Sequence, residues 1–268
     1  MSSPIPNILT IAGSDSGGGA GIQADLKTFA ALGTYGASVV TALTAQNTLG
    51  VQAIHLPPAS FVSAQLDAVL SDLRIDAVKI GMLADAAIVR VVAQALRRYA
   101  PRWVILDTVM LSKSGHALLA PDAVAALRDE LLPLAHLLTP NLPEAAALLG
   151  TTEATDETAM VRQGEALRAF GVGAVLMKGG HLGGADSPDW LIEADGTSRL
   201  GVQRIDTPHS HGTGCTLSAA IAALLPQRDS LAHAVNDAKS YLTEALRQNH
   251  RLTVGQGIGP LHHFHQWW

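Results

Sequence analysis

The sequence predicts an α/β fold in which a mostly parallel sheet is covered by helices on both faces. Short, continuously apolar segments alternate with segments of helical periodicity along most of the chain. That alternation is typical of buried parallel strands joined by crossover helices. The 268 residues, 48% of them hydrophobic, can bury a large core. No repeat, linker-like segment or shift in composition divides the chain, so we expect a single domain over residues 1–268.

The first half of the chain predicts four strands and four helices in alternation. Strands are expected where apolar residues run without interruption, and helices where they recur every three or four positions, as Val62, Leu66 and Val69 do. In chain order, the expected elements are strand Ile8–Ala12, helix Ile22–Leu32, strand Ala37–Ala45, helix Phe61–Leu73, strand Ala77–Ile80, helix Ala86–Tyr99, strand Trp103–Leu106 and helix Asp122–Leu132.

The second half of the chain adds a hairpin before two closing helices. Asp195 and Gly196 form a strong hairpin-turn signal between two β-rich segments. The expected elements are strand His136–Thr139, helices Leu142–Leu149 and Glu157–Phe170, strand Ala174–Met177, hairpin strands Asp189–Ala194 and Ser198–Ile205, and helices Cys215–Leu224 and Leu231–Arg247.

Charge and composition argue against several classes of protein. The formal net charge of −5, without a basic run, disfavours a nucleic-acid or membrane-surface partner. No apolar stretch reaches the roughly 18 residues of a membrane span, and the N-terminal segment lacks the basic region of a signal peptide. Cys215 is the single cysteine. An intrachain disulfide is therefore excluded, and we expect a reducing cytoplasm.

A glycine-rich loop, GSDSGGGAGI at Gly13–Ile22, joins the first strand to the first helix. Backbone amides at a helix N-terminus favour an anionic or polar ligand. The phosphate-loop pattern is missing its Lys-Ser or Lys-Thr. The dinucleotide pattern at Gly19–Ala24 lacks the acidic residue expected about 20 positions later. A turn that only packs strand on helix is the alternative, but Ser14–Ser16 adds polar groups that packing would not need.

A second glycine loop, His211–Cys215, precedes the alanine-rich helix near the end of the chain. Successive amides at a helix start form an anion hole, which the helix dipole strengthens. A cysteine in the first turn of such a helix is expected to have a depressed pKa, which would suit a base or a nucleophile. The alternative is a buried, inert cysteine.

Several motifs together resemble one enzyme family, the hydroxymethylpyrimidine and phosphomethylpyrimidine kinases of thiamin biosynthesis, which are ribokinase-like. The resemblance extends from about Ile8 to His265. It rests on AGSDSGGGAGIQADLK (Ala12–Lys27), TALTAQN (Thr41–Asn47), VKIGML (Val78–Leu83), TPNLPEA (Thr139–Ala145), MKGGH (Met177–His181) and HGTGCTLSAAIAA (His211–Ala223). It implies a three-layer α/β/α ribokinase-like fold, ATP and Mg²⁺ as cofactors, a homodimer, and two successive phosphoryl transfers to one pyrimidine.

The resemblance implies that the second loop is the anion hole for the transferring phosphoryl group, formed by Gly212, Thr213, Gly214 and Cys215. Most ribokinase-like sugar kinases carry an aspartate base where Cys215 stands. An alcohol must lose a proton when it attacks, but a phosphate monoester is mostly dianionic at pH 7. A carboxylate would repel that second acceptor, whereas a thiol suits a site that accepts both.

Nucleotide and metal roles are also implied by the resemblance. Asn141 and Glu144 are expected beside the magnesium, which they would hold through water; spacing alone favours a helix N-cap with an acidic first turn. Lys178 is expected on the ATP phosphates, with a solvated strand-end lysine as the alternative. Asp107 ends a strand where ligands gather, and is expected to order magnesium or the acceptor.

For the acceptor, the resemblance implies that the first glycine loop closes over the pyrimidine, with Ala20 close to the ring. Gln46 is the expected specificity residue, because its amide offers one donor and one acceptor to a ring nitrogen and the adjacent amino group. Met82 and Val109 are expected as apolar walls. The alternatives are an ordinary polar residue at a strand end for Gln46 and plain core for the other two.

The chain departs from the family pattern at two places. Thr108 replaces a common proline, which could shift the Asp107 backbone, and His209-Ser210 replaces Asn-Thr, which we expect to affect the nucleotide side. The histidine-rich tail Leu261–Trp268 is weak evidence for a metal, so we expect it to pack as native structure. Two rival functions stay open: a pyridoxal kinase of the same superfamily, and a non-catalytic pyrimidine-binding domain.

Overall fold

The computed structural model describes residues 4–110, 119–201 and 203–268. Within these residues, nine strands form one sheet in the order β3-β2-β1-β4-β5-β6-β7-β8-β9. The strands are β1 Asn7–Asp15, β2 Tyr35–Asn47, β3 Gly50–His55, β4 Ala77–Ile80, β5 Val104–Leu106, β6 Leu137–Leu138, β7 Ala174–Lys178, β8 Asp189–Ile192 and β9 Thr197–Leu200. The six neighbouring strands β2, β1, β4, β5, β6 and β7 are parallel to one another. Strand β3 pairs antiparallel at one end of the sheet, and β8 and β9 pair antiparallel at the other.

Helices cover both faces of the sheet, which confirms the three-layer prediction. The helices are α1 Gly21–Ala31, α2 Ala59–Leu70, α3 Ala86–Tyr99, α4 Pro121–Ala126, α5 Leu142–Leu149, α6 Glu157–Arg168, α7 Thr213–Leu224 and α8 Leu231–Arg247. Helices α2 to α6 share one buried core with the sheet, and α1, α7 and α8 share the other. Because successive strand residues point to opposite faces, Leu9 and Ile11 enter the first core and Ile8 enters the second.

The structure differs from the expected elements at three places. Strand β3 was not expected, because it is a half-exposed edge strand without the continuous apolar run of the parallel strands. The helix expected over Asp122–Leu132 is regular only to Ala126 and then widens into a π-type turn. The second hairpin strand ends at Leu200 rather than at Ile205; position 202 lies outside the described residues.

The histidine-rich tail packs against the α7 and α8 layer, as expected. His262 and His263 are buried, Thr216 Oγ1 lies 3.0 Å from His263 Nε2, and the Tyr241 hydroxyl donates to the His263 carbonyl at 2.6 Å. Over the described residues, no group of three or more histidine, cysteine, aspartate or glutamate side chains could hold a metal ion. In the same residues, no helix has both the length and the apolar character that crossing a bilayer requires.

Candidate active site

A cavity of about 710 Å³ opens where the parallel strands end, between the N-termini of α1 and α7. The carboxyl ends of parallel strands meet at one edge of a sheet, where ligands of open α/β folds bind. All twelve residues singled out in the sequence line this cavity: Ala20, Gln46, Met82, Asp107, Val109, Asn141, Glu144, Lys178, Gly212, Thr213, Gly214 and Cys215. Segments far apart in the chain therefore form one site.

The two glycine loops touch each other, backbone against backbone. A β-carbon added at Gly212 would overlap the carbonyl oxygen of Gly19, and Gly212 also has φ +84°. At the start of α1, Gly21 has φ +56°, and a β-carbon there would overlap the carbonyl oxygen of Gly13. Glycine alone combines such close approach with a left-handed backbone. Packing therefore explains part of the glycine content, and the same packing brings the loops to the cavity.

Asp15, at the end of β1, organises the first loop. Its carboxylate accepts hydrogen bonds from the backbone amides of Gly17, Gly19 and Ala20 at 2.8, 3.0 and 2.8 Å. It also accepts one from His211 Nε2, in the second loop, at 2.8 Å. Burial pushes the pKa of Asp15 upward, but these hydrogen bonds and the charge of His211 outweigh it and the pKa is lowered. An ionised Asp15 therefore holds the two loops together.

The hydrogen-bond network decides how the Gln46 amide is oriented. One terminal atom of this amide lies 3.2 Å from His211 Nε2, and the other lies 3.2 Å from Thr44 Oγ1. The amide nitrogen faces His211, and the amide oxygen faces Thr44, whose hydroxyl also reaches the Ser14 carbonyl at 2.9 Å. These two contacts hold the Gln46 amide in one orientation on the cavity wall.

Met82 and Val109 belong to a small apolar cluster on the cavity wall. Met82 and Ala84 are buried there together with Ala42, and Val109 packs against them while partly exposed. The cluster lies on the same cavity as Gln46. The structure thus places an apolar wall and one oriented amide in a single compartment, which is suited to a flat, polar-edged ring.

The expectation of a depressed pKa for Cys215 is wrong. Burial raises the pKa of this thiol to about 11. The charges of Lys79 and the Gly21 N–H lower it, while those of Asp25 and Asp107 raise it. The sulfur does lie at the start of a helix, but the loss of water around it destabilises the thiolate more than the helix amides stabilise it. The thiol is protonated at neutral pH.

Across the cavity, Asp107 and Lys178 form an ion pair with 2.9 Å between Oδ1 and Nζ. Thr139 Oγ1 and Ser218 Oγ donate to the same carboxylate at 3.1 and 3.2 Å. Burial pushes the pKa of Asp107 upward, but the Lys178 charge outweighs it and the pKa is lowered. Burial pushes the pKa of Lys178 downward, and the charges of Asp107 and Glu144 raise it above its usual value. Both groups are therefore charged, and Lys178 is not the solvated strand-end lysine of the alternative interpretation.

Asn141 and Glu144 form a capping box at the start of α5, as the spacing alone favoured. Asn141 Oδ1 accepts from the Glu144 amide at 2.9 Å, and Glu144 Oε2 accepts from the Asn141 amide at 2.8 Å. The Thr108 hydroxyl donates to the same Oε2 at 3.1 Å, and Lys178 Nζ lies 3.8 Å away. Among the described residues, these contacts all fall on Oε2. Glu144 Oε1 is therefore left for a ligand in the cavity.

Thr108, at the first departure from the family pattern, thus uses its hydroxyl to hold Glu144. The neighbouring Asp107 amide keeps a strand-type bond to the Ile80 carbonyl at 2.9 Å. At the second departure, His209 Nδ1 accepts from the Gly259 amide at 3.2 Å. His209 does not line the cavity, so its replacement of the family's asparagine makes no direct contribution to the cavity wall.

The oxygen ligands that line the cavity suit Mg²⁺ better than a metal that needs nitrogen or sulfur ligands. Asp107, Asn141 and Glu144 offer oxygen atoms on one wall of the cavity. Within the described residues they form no cage of three or more ionisable ligands. Mg²⁺ usually keeps several waters and is held by one or two carboxylates together with substrate phosphates. The donor set therefore fits a Mg²⁺ ion that a bound phosphate helps to hold.

The start of α7 supplies free backbone amides next to Lys178 and the carboxylates around it. Within the described residues, the amides of Gly214 and Cys215 have no hydrogen-bond acceptor, whereas the Thr216 amide begins the helix by donating to Gly212. A β-carbon added at Gly214 would lie 3.4 Å from Lys178 Nζ. Free amides at a helix N-terminus beside a lysine attract anions.

Sequence reasoning missed several contributors to the cavity wall. Lys79, Thr44 and His211 all line it, but none had been given a role. Lys79 could have been noticed, because a lysine inside the buried strand AVKI is unusual unless it has a partner. The interactions of Thr44 and His211 leave no signal in the sequence, since their partners come from other segments.

Comparison with known proteins gives consistent matches over the whole chain. A family model described as phosphomethylpyrimidine kinase matches residues 15–262. The hydroxymethylpyrimidine/phosphomethylpyrimidine kinase of Escherichia coli (strain K12) is 60% identical over 262 residues, which is 98% of this chain and 98% of that protein.

Two solved structures share the three-layer fold. The phosphomethylpyrimidine kinase of Clostridium difficile 630 is 44% identical with a TM-score of 0.80, and covers 90% of this chain and 99% of its own. A pyridoxal kinase of Bacillus subtilis in an ADP complex is 35% identical with a TM-score of 0.89, and covers 97% of this chain and 98% of its own.

Proposed function

Since the chain belongs to the phosphomethylpyrimidine kinase family and has the ribokinase-like fold, we propose that its cavity is the site of two successive phosphoryl transfers from ATP to one pyrimidine. The protein is an ATP-dependent kinase of thiamin biosynthesis. The first acceptor is 4-amino-5-hydroxymethyl-2-methylpyrimidine, and the second is its monophosphate. The final product is the diphosphate.

One observation carries the assignment of this cavity. One cavity has two compartments. The first contains the Lys178–Asp107 ion pair and the free amides of α7, and the second is apolar and contains the oriented Gln46 amide. The first half suits phosphates and the second suits a small ring. Phosphoryl transfer is mostly positioning and charge neutralisation, and this arrangement can provide both.

On the nucleotide side, we assign Lys178 to the ATP phosphates and the loop from Gly212 to Cys215 to the transferring group. Asn141 and Asp107 complete the nucleotide side. Mg²⁺ would be held by Glu144, Asn141 and Asp107, directly or through water, and would neutralise phosphate charge there. The free Oε1 of Glu144 supports this, because its other oxygen is already occupied by the capping box and Thr108.

On the acceptor side, we assign Gln46 to the ring nitrogen and amino group, Ala20 to the face of the ring, and Met82 and Val109 to the apolar walls. The hydrogen bond from its amide to Asp15 holds Ala20 on the wall of the same cavity, which supports this assignment. The hydrogen bonds of Gln46 to His211 and Thr44 orient its amide before the ring arrives, which lowers the entropy cost of binding.

The two steps make different demands on Cys215. In the first transfer, the hydroxymethyl oxygen forms a bond to the γ-phosphorus, the bond to the leaving phosphate oxygen breaks, and the hydroxyl proton passes to the thiolate form of Cys215, which is a minor fraction at neutral pH because the pKa is raised. In the second, the attacking oxygen belongs to a phosphate that is already mostly dianionic, with a second pKa of about 6. The raised pKa of Cys215 suits this second step, because a neutral thiol does not repel the phosphate.

Pyridoxal kinase activity is not favoured, although pyridoxal kinases are structural relatives. The family model and the 60% identical relative both name a pyrimidine kinase. A non-catalytic binding domain is also not favoured, because the charged group and the free amides are intact alongside Gln46.

We further propose a single domain over residues 1–268, a homodimer and a cytoplasmic location. One sheet connects all nine described strands, which supports a single domain. Leu43, Leu49 and Ile54, in β2, the turn and β3, are exposed apolar side chains, as is Phe61 in the next helix, α2. Exposed apolar side chains of this kind support self-association. The free thiol of Cys215 must stay reduced to function, which supports the cytoplasm.

The assignment is tested by incubating the protein with MgATP and hydroxymethylpyrimidine and following products by mass spectrometry. We expect the monophosphate first and then the diphosphate, with slower turnover of pyridoxal. Phosphorylation of pyridoxal alone would transfer the assignment to the rival kinase. No phosphorylated product from either ring, with the rings still bound, would support a binding domain.

A further inference from the structure

Arg204, which follows β9 in the chain, is bound to one loop through its whole guanidinium group. Its Nε donates to the Gly184 carbonyl at 3.1 Å, and Nη1 donates to the Gly180 carbonyl at 2.9 Å. Its Nη2 donates to the carbonyls of Leu182 and Asp186 at 2.6 and 3.1 Å. In the part of the chain that the structure describes, every hydrogen bond of this guanidinium therefore ends on a main-chain oxygen of the loop that joins β7 to β8.

That loop, residues 179–188, borders the phosphate side of the proposed site. It follows Lys178 directly in the chain. Its residue His181 lines the same cavity as Lys178. Arg204 itself does not line the cavity, so its effect on a bound ligand must pass through the loop.

Beyond Leu182, which packs against the first core, the loop packs little against the rest of the fold. A β-carbon added at Gly183 or Gly184 would meet nothing within 4 Å, and Ala185 is exposed. A glycine-containing segment of this kind loses much backbone entropy when it is ordered. The donors of Arg204 lie in one fixed plane and offset that loss with charge-assisted hydrogen bonds. The Arg204 amide also donates to the Ala185 carbonyl at 2.8 Å, so main chain and side chain hold the same loop.

A second arginine has the same kind of bonding without any relation to the cavity. Arg168 donates to the carbonyls of Gly173 and Glu193 at 3.3 and 3.0 Å, and none of these three residues lines the cavity. An arginine bound to carbonyls is therefore a general means of holding loops. Arg204 differs in the loop that it holds, because that loop carries His181 into the wall of the site.

We propose that Arg204 is a positioning residue for ATP, because its guanidinium fixes the 179–188 loop and with it the place of His181 beside Lys178. The identity of the ligand rests on the proposed function, whereas the effect on the loop does not. A loop that holds the competent arrangement for only part of the time lowers the apparent affinity in proportion. Loss of the guanidinium should therefore weaken nucleotide binding and leave pyrimidine binding unchanged.

The test compares Arg204→Met and Arg204→Lys with the unmodified protein and with Arg168→Met. Calorimetric titration measures the affinity for a non-hydrolysable ATP analogue with Mg²⁺ and, separately, the affinity for hydroxymethylpyrimidine. We expect Arg204→Met to bind the analogue about tenfold more weakly and the pyrimidine as before. Arg204→Lys should not restore the affinity, because an ammonium donates from one atom and cannot span the carbonyls that the guanidinium joins. In steady state, the KM for ATP should rise by a similar factor while kcat changes little, and Arg168→Met should behave as the unmodified protein.

Hydrogen exchange followed by mass spectrometry reports on the loop without any need for kinase activity. Exchange over residues 180–187 should be faster in both Arg204 variants and unchanged in Arg168→Met. Unchanged exchange, unchanged analogue affinity, equal weakening for both ligands, the same loss in Arg168→Met, or full rescue by Arg204→Lys would each overturn the proposal. Faster exchange with weaker analogue binding, but no phosphorylated pyrimidine from the unmodified protein, would reject the proposed function alone.

Discussion

The α-carbon of Gly212 lies against the carbonyl oxygen of Gly19, so that the two glycine-rich loops share one backbone contact. Asp15 and His211 reinforce this contact with a hydrogen bond of 2.8 Å. One loop faces the acceptor and the other faces the phosphates in the proposed reaction. The contact therefore fixes the distance between the two reacting partners, which is the main means of catalysis in phosphoryl transfer.

Gly212→Ala should abolish this contact. The alanine must adopt a left-handed backbone conformation, which costs about 1–2 kcal/mol. Its β-carbon would also overlap the carbonyl oxygen of Gly19. We expect both transfers to fall by about 10²-fold or more, because the amides of the anion hole move. Gly33→Ala is the matched control: its φ is +76° and an added β-carbon meets nothing within 4 Å. The Gly33→Ala variant should lose a similar amount of stability to backbone strain but keep the rates of both transfers. Equal rates in both variants would show that the loop contact is dispensable.

Gln46→Ala should weaken pyrimidine binding and leave ATP binding intact. An unpaired ring nitrogen and amino group cost about 1–3 kcal/mol, which is roughly 5- to 150-fold in affinity. Calorimetric titration with each ligand measures the two affinities separately. Gln227→Ala, at a surface position outside the cavity, serves as the control. A pyrimidine affinity within twofold of the unmodified protein would remove Gln46 from the specificity site.

Lys178→Ala should reduce both transfers alike, because both use the same γ-phosphoryl group. The expected loss is on the order of 10²-fold or more if the ammonium meets developing charge. Steady-state rates with the alcohol and with the monophosphate, measured in parallel, provide the test. Lys239→Met, which breaks a buried ion pair away from the cavity, should keep both rates. A loss confined to one acceptor would place Lys178 beside the acceptor instead.

Cys215→Ala should separate the two transfers. A positioned base contributes about 10²–10⁴-fold to attack by an alcohol, and far less to attack by an ionised phosphate. Because the pKa of the thiol is raised to about 11, the first transfer should accelerate with pH over the range from 7 to 10. The variant should lose that pH dependence, and Cys215→Ser controls for size. Equal losses in both transfers at pH 7.5 would mean that Cys215 shapes the loop rather than accepting a proton.

His263 should make the fold sensitive to acid. Burial, followed by the charges of Lys27, His262 and His265, lowers its pKa from 6.5 to about 3. Between these pH values the unfolded chain binds a proton that the folded chain does not, so stability is lost as pH falls through this window. The slope is about 1.4 kcal/mol per pH unit for one group. Urea unfolding from pH 7 to 4 should show a shallower decline for His263→Gln, and exposed His233→Gln should follow the unmodified protein.

Much of the architecture could be predicted because the signals are local. Buried parallel strands are mostly apolar on both faces, so β5 is visible as an uninterrupted apolar run and β4 as an apolar run that only Lys79 interrupts. The edge strand β3 escaped prediction for the same reason, since most of its side chains face solvent and need not be apolar. The capping box of Asn141 and Glu144 was also favoured by spacing alone, because both partners lie within one helical turn.

The sequence by itself determined the alternation of strands and helices, the two glycine loops and twelve of the residues that line the cavity. Only the tertiary structure decided which charges surround those residues. The pKa of Cys215 illustrates the difference: its position in the first turn of a helix suggested a thiolate, but burial and Asp25 oppose that form while Lys79 favours it. Electrostatic energy depends on distance and on the loss of water around each group. The three residues come from α7, α1 and β4, so neither quantity existed before these segments packed together.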